Sequence, residues 1–221
     1  MSLLFMLIVI AGLPLLAAIS YRNIKTLEAE EGQLHLAKGA LYFQSMLMQG
    51  GLCLLAYYTG KNEAFTISIL SEWNFISIIS GVAFLGVALL FASAGQKQNK
   101  KESTLRYLLP RNRKERVMWF LAVAVAAFCE EYIYRGVLYQ VLSNHTEGQI
   151  WLTIILSAIV FGFGHGTQGE KAILQIIPFA IGFHLLAIIS KGLLLPMIVH
   201  FIYNVCVDLF FGKKITGQHA P

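Results

Sequence analysis

The sequence predicts an all-α fold: a polytopic transmembrane helix bundle of about seven spans. Three observations lead there. Hydrophobic residues make up 57% of the 221 positions. Charged residues make up 13%, where a typical soluble domain carries about 25%. The 12 acids and 17 bases fall mostly between long apolar stretches rather than within them. A chain with so little polar surface is solvated by lipid over much of its area. A soluble globular enzyme, a nucleic-acid-binding domain and a disordered protein are therefore excluded as classes. The net charge of +5 is read as a determinant of topology and not as a nucleic-acid footprint.

The apolar stretches justify the spans in turn, since about 20 residues of helix cross the hydrocarbon. They cover 3–19, 39–59, 75–94, 117–142, 150–165, 172–190 and 193–211. The first contains Pro14. No Lys or Arg precedes it and no small-x-small cleavage site follows, so it reads as a membrane helix rather than a removed signal segment. The last two are joined only by Lys191 and Gly192, which predicts a tight helical hairpin. The fourth is unusually polar at Glu130, Glu131 and Arg135. Cys53, Cys129 and Cys206 all lie in apolar stretches, with no CxxC pair, and read as small buried hydrophobes.

Seven spans sort the loop cations sharply. Arg22, Lys25 and Lys38 fall in loop 20–38, and eight Lys and Arg fall in loop 95–116. Lys171 follows the fifth span, and Lys213 and Lys214 follow the seventh. All of these share one side, and only Lys61 and Lys191 lie on the other. The positive-inside rule then predicts an outside N-terminus and a cytoplasmic C-terminus. No loop is long enough for a soluble domain, and no internal repeat is visible. The chain reads as a single membrane domain, with residues 1–116 as N-terminal helices plus the basic loop and 117–211 as the part that carries chemistry.

Ionisable groups at membrane depth are costly and usually functional. Glu131 and Arg135 are four apart, so they share a helix face and pair. Glu130 sits about 100° round the helix and is left needing another partner. Two adjacent carboxylates with different neighbours suit one structural and one catalytic role. Phe161 and His165, also four apart, end the fifth span among Gly162, Gly164 and Gly166, which permit close backbone approach. The seventh span carries His200 and Asn204 at the same spacing, and Asp208 continues that stripe. Alone, His165 is a helix-end histidine and His200 with Asn204 is interhelical glue. Together, three spans supply a base, a proton partner and oxyanion donors. His184 has no polar companion a turn away and reads as structural. His35, His145 and His219 carry no signal.

Other chemistries fail for want of residues. An aspartyl dyad needs a second intramembrane aspartate beside Asp208. His-Glu-x-x-His and Gly-x-Ser-x-Gly are absent. A thiol nucleophile at Cys129 would sit beside an acid, which opposes thiolate formation. What remains is a glutamate and histidine set.

Glu130-Glu131-x-x-x-Arg135, then Phe161-x-x-x-His165, then His200-x-x-x-Asn204, on successive spans, resembles the CAAX protease and bacteriocin-processing enzyme family, the type II prenyl-protein endopeptidases. The run from Gly192 through Pro196 to His200 is similar to the lead-in to the third motif. The resemblance covers about 117–211. It implies an intramembrane endopeptidase in which Glu130 activates water with help from His165, His200 and Asn204 stabilise the oxyanion, and Glu131 with Arg135 supports the fourth helix. It implies no cofactor in the favoured glutamate mechanism. The alternative is a zinc enzyme with Glu130, His165 and His200 as ligands. The implied partners are the lipid bilayer and a membrane-associated peptide or protein, lipidated where true CAAX processing applies, such as a bacteriocin or pheromone precursor. The expected location is a prokaryotic plasma membrane. Two competing classes are a non-catalytic adaptor or immunity protein of the same fold and a small proton-coupled transporter. The transporter would show two repeated halves with broken helices, and the sequence has none.

Overall fold

The computed structural model describes residues 1–31, 38–98, 109–110 and 112–216. Among these residues the chain forms seven helices and no strand. α1 runs over 2–31, α2 is Lys38–Asn62 and α3 is Phe75–Gln98. α4 is Arg113–His145, α5 Ile150–Gly164, α6 Glu170–Ile189 and α7 Leu194–Thr216. Of the loop cations that set the expected orientation, Lys100, Lys101, Arg106 and Arg111 lie outside the described residues, as do His35 and His219.

This is a membrane protein with several apolar helices. Among the described residues four segments are long and apolar enough to cross a bilayer: Ser2–Thr26, Phe75–Ser93, Arg113–His145 and Glu170–Ile189. Ile150–Gly164 and Leu194–Phe210 are apolar but shorter. At about 1.5 Å per residue, the 15 residues of α5 rise about 22 Å, against roughly 30 Å of hydrocarbon. α2 is long enough, but Gln44, Gln49 and Lys61 dilute its apolar character.

Helix ends differ from the apolar boundaries where polar residues cap or prolong a helix. α1 continues past Ile19 through helix-compatible Lys, Leu, Glu and Ala. Pro14 sits just after a π-helical turn, Leu7–Gly12, where the Leu13 N–H already reaches back to the Ile8 carbonyl. α4 starts four residues before the apolar run because Asn112 caps it. The Asn112 side chain accepts from the Glu115 N–H at 2.9 Å and donates to the Glu115 carboxylate at 2.7 Å.

α4 is the central helix. α2 packs along it, including its lower-pitched middle, and α7 packs on α3 and α4. α5 pairs with α6. The largest buried cluster joins Phe5 and Val9 of α1, Ala56 of α2, Ile133 and Val137 of α4, and Phe161 of α5. Gly162 lets α6 approach α5: a methyl group there would lie 2.6 Å from Ile177 Cγ1. Large apolar side chains such as Leu3, Leu15, Phe75, Leu90 and Trp151 face outward, as lipid solvation requires.

The α6–α7 hairpin is tight and is held by the segment that links α2 to α3. The Leu193 N–H donates to the Ser68 carbonyl at 3.1 Å and the Leu194 N–H to the Ile69 carbonyl at 2.9 Å. The Glu72 N–H donates to the Ser190 carbonyl at 2.7 Å. A Cβ on Gly192 would collide with the Leu70 backbone, so only glycine permits this approach. Lys191 takes a left-handed φ of 50° to make the turn.

Candidate active site

Glu130 closes the α-helical first part of α4, and Glu131 opens a π-helical segment, Glu131–Leu138. There the backbone N–H reaches five residues back instead of four, a wider winding that recurs at functional sites. The Tyr139 N–H reaches the Tyr134 carbonyl in this way. That carbonyl also accepts from the Ser157 hydroxyl of α5 at 3.1 Å, which ties the wide turn to its neighbour.

Glu131 and Arg135 form a fully buried pair, with Arg135 Nη1 3.3 Å from Glu131 Oε1. The Arg135 guanidinium lies over the Phe161 ring at 4.3 Å and within 5.3 Å of the Phe183 ring centre. Aromatic faces offset part of the cost of burying a cation. The same Glu131 oxygen accepts a hydrogen bond from His200 Nδ1 at 2.9 Å. Glu131 therefore does more than pair with Arg135: it also orients an imidazole on α7. Phe183 packs against that imidazole, with ring centres 5.0 Å apart.

Glu130 is buried, at 8% exposure, and faces the protein interior. Its Oε1 accepts a hydrogen bond from the Gln49 amide of α2 at 2.7 Å. Its Oε2 lies 3.8 Å from His165 Nε2 and 4.0 Å from His200 Nε2. His165 sits at the junction between α5 and the short turn Gly166–Gln168. His165 Nδ1 is 2.9 Å from the Phe161 carbonyl. A carbonyl only accepts, so Nδ1 carries the proton and Nε2 presents its lone pair. The Glu131 carboxylate dictates the same tautomer for neutral His200. Three acceptor atoms thus face one another across gaps too wide for direct hydrogen bonds, the spacing at which a bridging water is expected.

Asn204 follows His200 by one turn on α7, is half-buried, and makes no side-chain hydrogen bond among the described residues. Asp208, next on the stripe, is tied elsewhere: its carboxylate is 3.6 Å from Arg116 Nε at the start of α4. His184 is buried on α6 beside Tyr139, at 5.6 Å between ring centres. His145 Nδ1 meets the Val141 carbonyl of its own helix at 2.8 Å. Sequence reasoning missed Gln49. The available signal was an amide in an otherwise apolar stretch beside Gly50 and Gly51. It also missed Ser157 and Phe183, for which no signal distinguishes them from ordinary helix residues.

In the zinc alternative, Glu130, His165 and His200 would be the ligands. Neutral imidazoles whose Nδ1 is held by a carbonyl or carboxylate suit metal ligation chemically. Tetrahedral zinc with bonds of about 2.1 Å sets ligand atoms about 3.4 Å apart. The separations of 3.8 and 4.0 Å are wider. Among the described residues no three His, Cys, Asp or Glu side chains are grouped closely enough to hold one ion. As placed, Glu130 Oε2 stands farther from each histidine nitrogen than two ligands of one tetrahedral zinc.

The family comparison falls on this part of the chain. Residues 112–206 match the family model of the Rce1-like type II CAAX prenyl endopeptidases. This region is similar to that family. It begins at the Asn112 cap of α4 and ends two residues beyond Asn204. The Rce1-like region therefore contains Glu130, Glu131, Arg135, His165, His200 and Asn204, and leaves out Gln49. No curated protein and no solved structure matches the chain.

Proposed function

We propose that the protein is an intramembrane endopeptidase of the CAAX type that hydrolyses a peptide bond with water activated by Glu130. The convergence of Glu130 Oε2 with Nε2 of His165 and Nε2 of His200, at 3.8 and 4.0 Å, carries this reading. The Rce1-like match over the same residues supports the reaction class.

In this mechanism a water held between Glu130 Oε2 and His165 Nε2 gives one proton to Glu130 as it attacks the scissile carbonyl. Gln49 holds the other carboxylate oxygen, so the basic Oε2 stays aimed at the water. His165, fixed by the Phe161 carbonyl, accepts a hydrogen bond from the second water O–H and orients the nucleophile. Charge develops on the carbonyl oxygen. His200 enters this step as an imidazolium held at Nδ1 by Glu131; its Nε2–H and the Asn204 amide donate to that oxygen, and His200 keeps its proton throughout. Glu130 then returns its proton to the leaving amine. The products are a carboxylic acid and an amine, with atoms and protons balanced. Burial strengthens each of these electrostatic terms. The substrate is a membrane-associated peptide or protein, lipidated if CAAX processing in the strict sense applies. Bacteriocin or pheromone precursors and a prokaryotic plasma membrane, with the basic loops cytoplasmic, complete the proposal.

Cleavage of a quenched reporter peptide by purified protein tests the reading. Turnover that Glu130→Gln removes, with folding intact, supports it. Unchanged turnover in that variant overturns the role of Glu130, and no turnover in any membrane-peptide pool favours the adaptor class. The same variant traps uncleaved substrates for mass spectrometry.

A further inference from the structure

Glu130 is not the only polar group that α4 turns towards the site. Tyr134 follows Glu130 by four residues, as Arg135 follows Glu131, so it shares the face of the base. It lies within electrostatic reach of the Glu130 carboxylate. Its ring packs edge-on against Phe161, with ring centres 4.9 Å apart. Phe161 also supplies the carbonyl that fixes His165. The Tyr134 hydroxyl lies beside Gly164, the residue before His165: a Cβ added at Gly164 would stand 3.1 Å from that oxygen.

Tyr134 is 4% exposed. Its hydroxyl makes no hydrogen bond among the described residues. Unlike the unpaired nitrogens of Arg135 and His184, it is not sealed in and keeps some accessible surface. A buried hydroxyl is normally matched by a partner. Neither the activation of water nor the stabilisation of the oxyanion uses this one. On this side of the site Glu130 Oε2 and neutral His165 Nε2 only accept, whereas a hydroxyl can donate.

We propose that Tyr134 is a substrate-binding residue whose hydroxyl donates to a backbone carbonyl flanking the scissile bond. The proposal rests on the endopeptidase reading and deepens it. The scissile carbonyl itself is met from α7, by His200 and Asn204. Tyr134 acts from α4, beside the end of α5, on a neighbouring carbonyl, and Gly164 keeps the room that its hydroxyl needs. Such a bond is made equally in the bound substrate and in the transition state, so it serves binding rather than the chemical step. It also restricts the substrate. A helix spends each interior carbonyl on its own backbone, so the cleaved segment is extended where Tyr134 takes hold of it.

Steady-state kinetics of the full chain on a quenched reporter peptide test this. Tyr134→Phe keeps the ring on Phe161 and removes the hydroxyl. The expected result is a KM raised roughly tenfold with kcat within about twofold, the effect of one hydrogen bond lost from binding. Gly164→Ala crowds the hydroxyl and raises KM in the same direction. Combined with Tyr134→Phe it adds nothing, because the methyl group has no oxygen left to displace. Reporters in which single peptide bonds beside the scissile one are replaced by trans-alkenes locate the carbonyl. One replacement raises KM about tenfold for the parent protein and has no further effect on the Tyr134→Phe variant. If Tyr134→Phe does not fold, the same series on Gly164→Ala makes the comparison. A merely structural Tyr134 would instead lower the unfolding midpoint or kcat and cost every reporter alike. An unchanged KM in Tyr134→Phe, or replacements that cost both proteins equally, overturns the role of Tyr134 and leaves that of Glu130 standing. A parent protein that cleaves no reporter overturns both.

Discussion

The side-chain amide of Gln49 donates to Glu130 Oε1 over 2.7 Å, joining α2 to α4 across 81 residues of sequence. The bond fixes one carboxylate oxygen and leaves the other facing two imidazoles. Glu130, unpaired on its own helix, thus finds its partner in the part of the chain that lies outside the Rce1-like match.

Gln49→Leu keeps the volume and removes the donor. A hydrogen bond to a charged group contributes about 1.5–3 kcal/mol. The expected result is a fall in kcat of roughly 10- to 100-fold with KM little changed, because the carboxylate loses its aim rather than the enzyme its substrate contacts. Steady-state kinetics on a reporter peptide check this. An unchanged kcat would show that Gln49 plays no part in positioning.

Glu130→Gln removes the base but keeps its shape and its neighbours. General-base catalysis contributes about 10²–10⁴-fold, so the variant falls to that extent or below detection. Its unfolding midpoint should stay near that of the parent protein. A rate within a few-fold of the parent would mean that another group takes the proton from water.

Arg135→Leu leaves the Glu131 carboxylate buried without its cation. Breaking one side of a buried pair costs about 3–5 kcal/mol. Glu131→Leu/Arg135→Leu should recover most of that stability, since well-packed apolar replacements are often neutral. Activity should stay low in the double variant, because His200 Nδ1 has lost its acceptor. Thermal unfolding and kinetics on the same preparations separate the two effects. Full activity in the double variant would show that orientation of His200 by Glu131 is unimportant.

Gly192→Ala places a methyl group against the Leu70 backbone. Overpacking of this kind costs about 1–3 kcal/mol. The expected readout is a lower unfolding midpoint and faster proteolysis in the α2–α3 segment, with catalytic residues untouched. A midpoint equal to the parent would mean that the hairpin relaxes freely.

Under the glutamate mechanism, a chelator such as phenanthroline leaves turnover unchanged, and purified active protein contains transition metal well below one equivalent. Loss of turnover that zinc alone restores would instead make Glu130, His165 and His200 ligands.

Much of this fold is legible in the sequence. Helix number follows from apolar run length, because lipid forces each crossing backbone to satisfy itself internally. The Glu131–Arg135 pair follows from spacing, since i and i+4 remain neighbours even where the helix winds more widely. Helix limits were less legible. The Asn112 cap and the polar extension of α1 are local hydrogen-bonding effects that hydropathy does not register.

The sequence by itself determined that this chain is a helical membrane protein and that its scarce intramembrane polar residues cluster in three motifs on α4, α5 and α7. It did so because charge in hydrocarbon is costly and periodicity decides which residues share a face. Tertiary structure decided which of those residues meet. It set His200 between the two adjacent glutamates, tied Asp208 to Arg116 at the start of α4, and brought Gln49 from α2 to Glu130. Those choices depend on how helices pack and rotate against one another. The packing is set by contacts such as Gly162 with Ile177 and Ser157 with the Tyr134 carbonyl, which spacing along one helix cannot express.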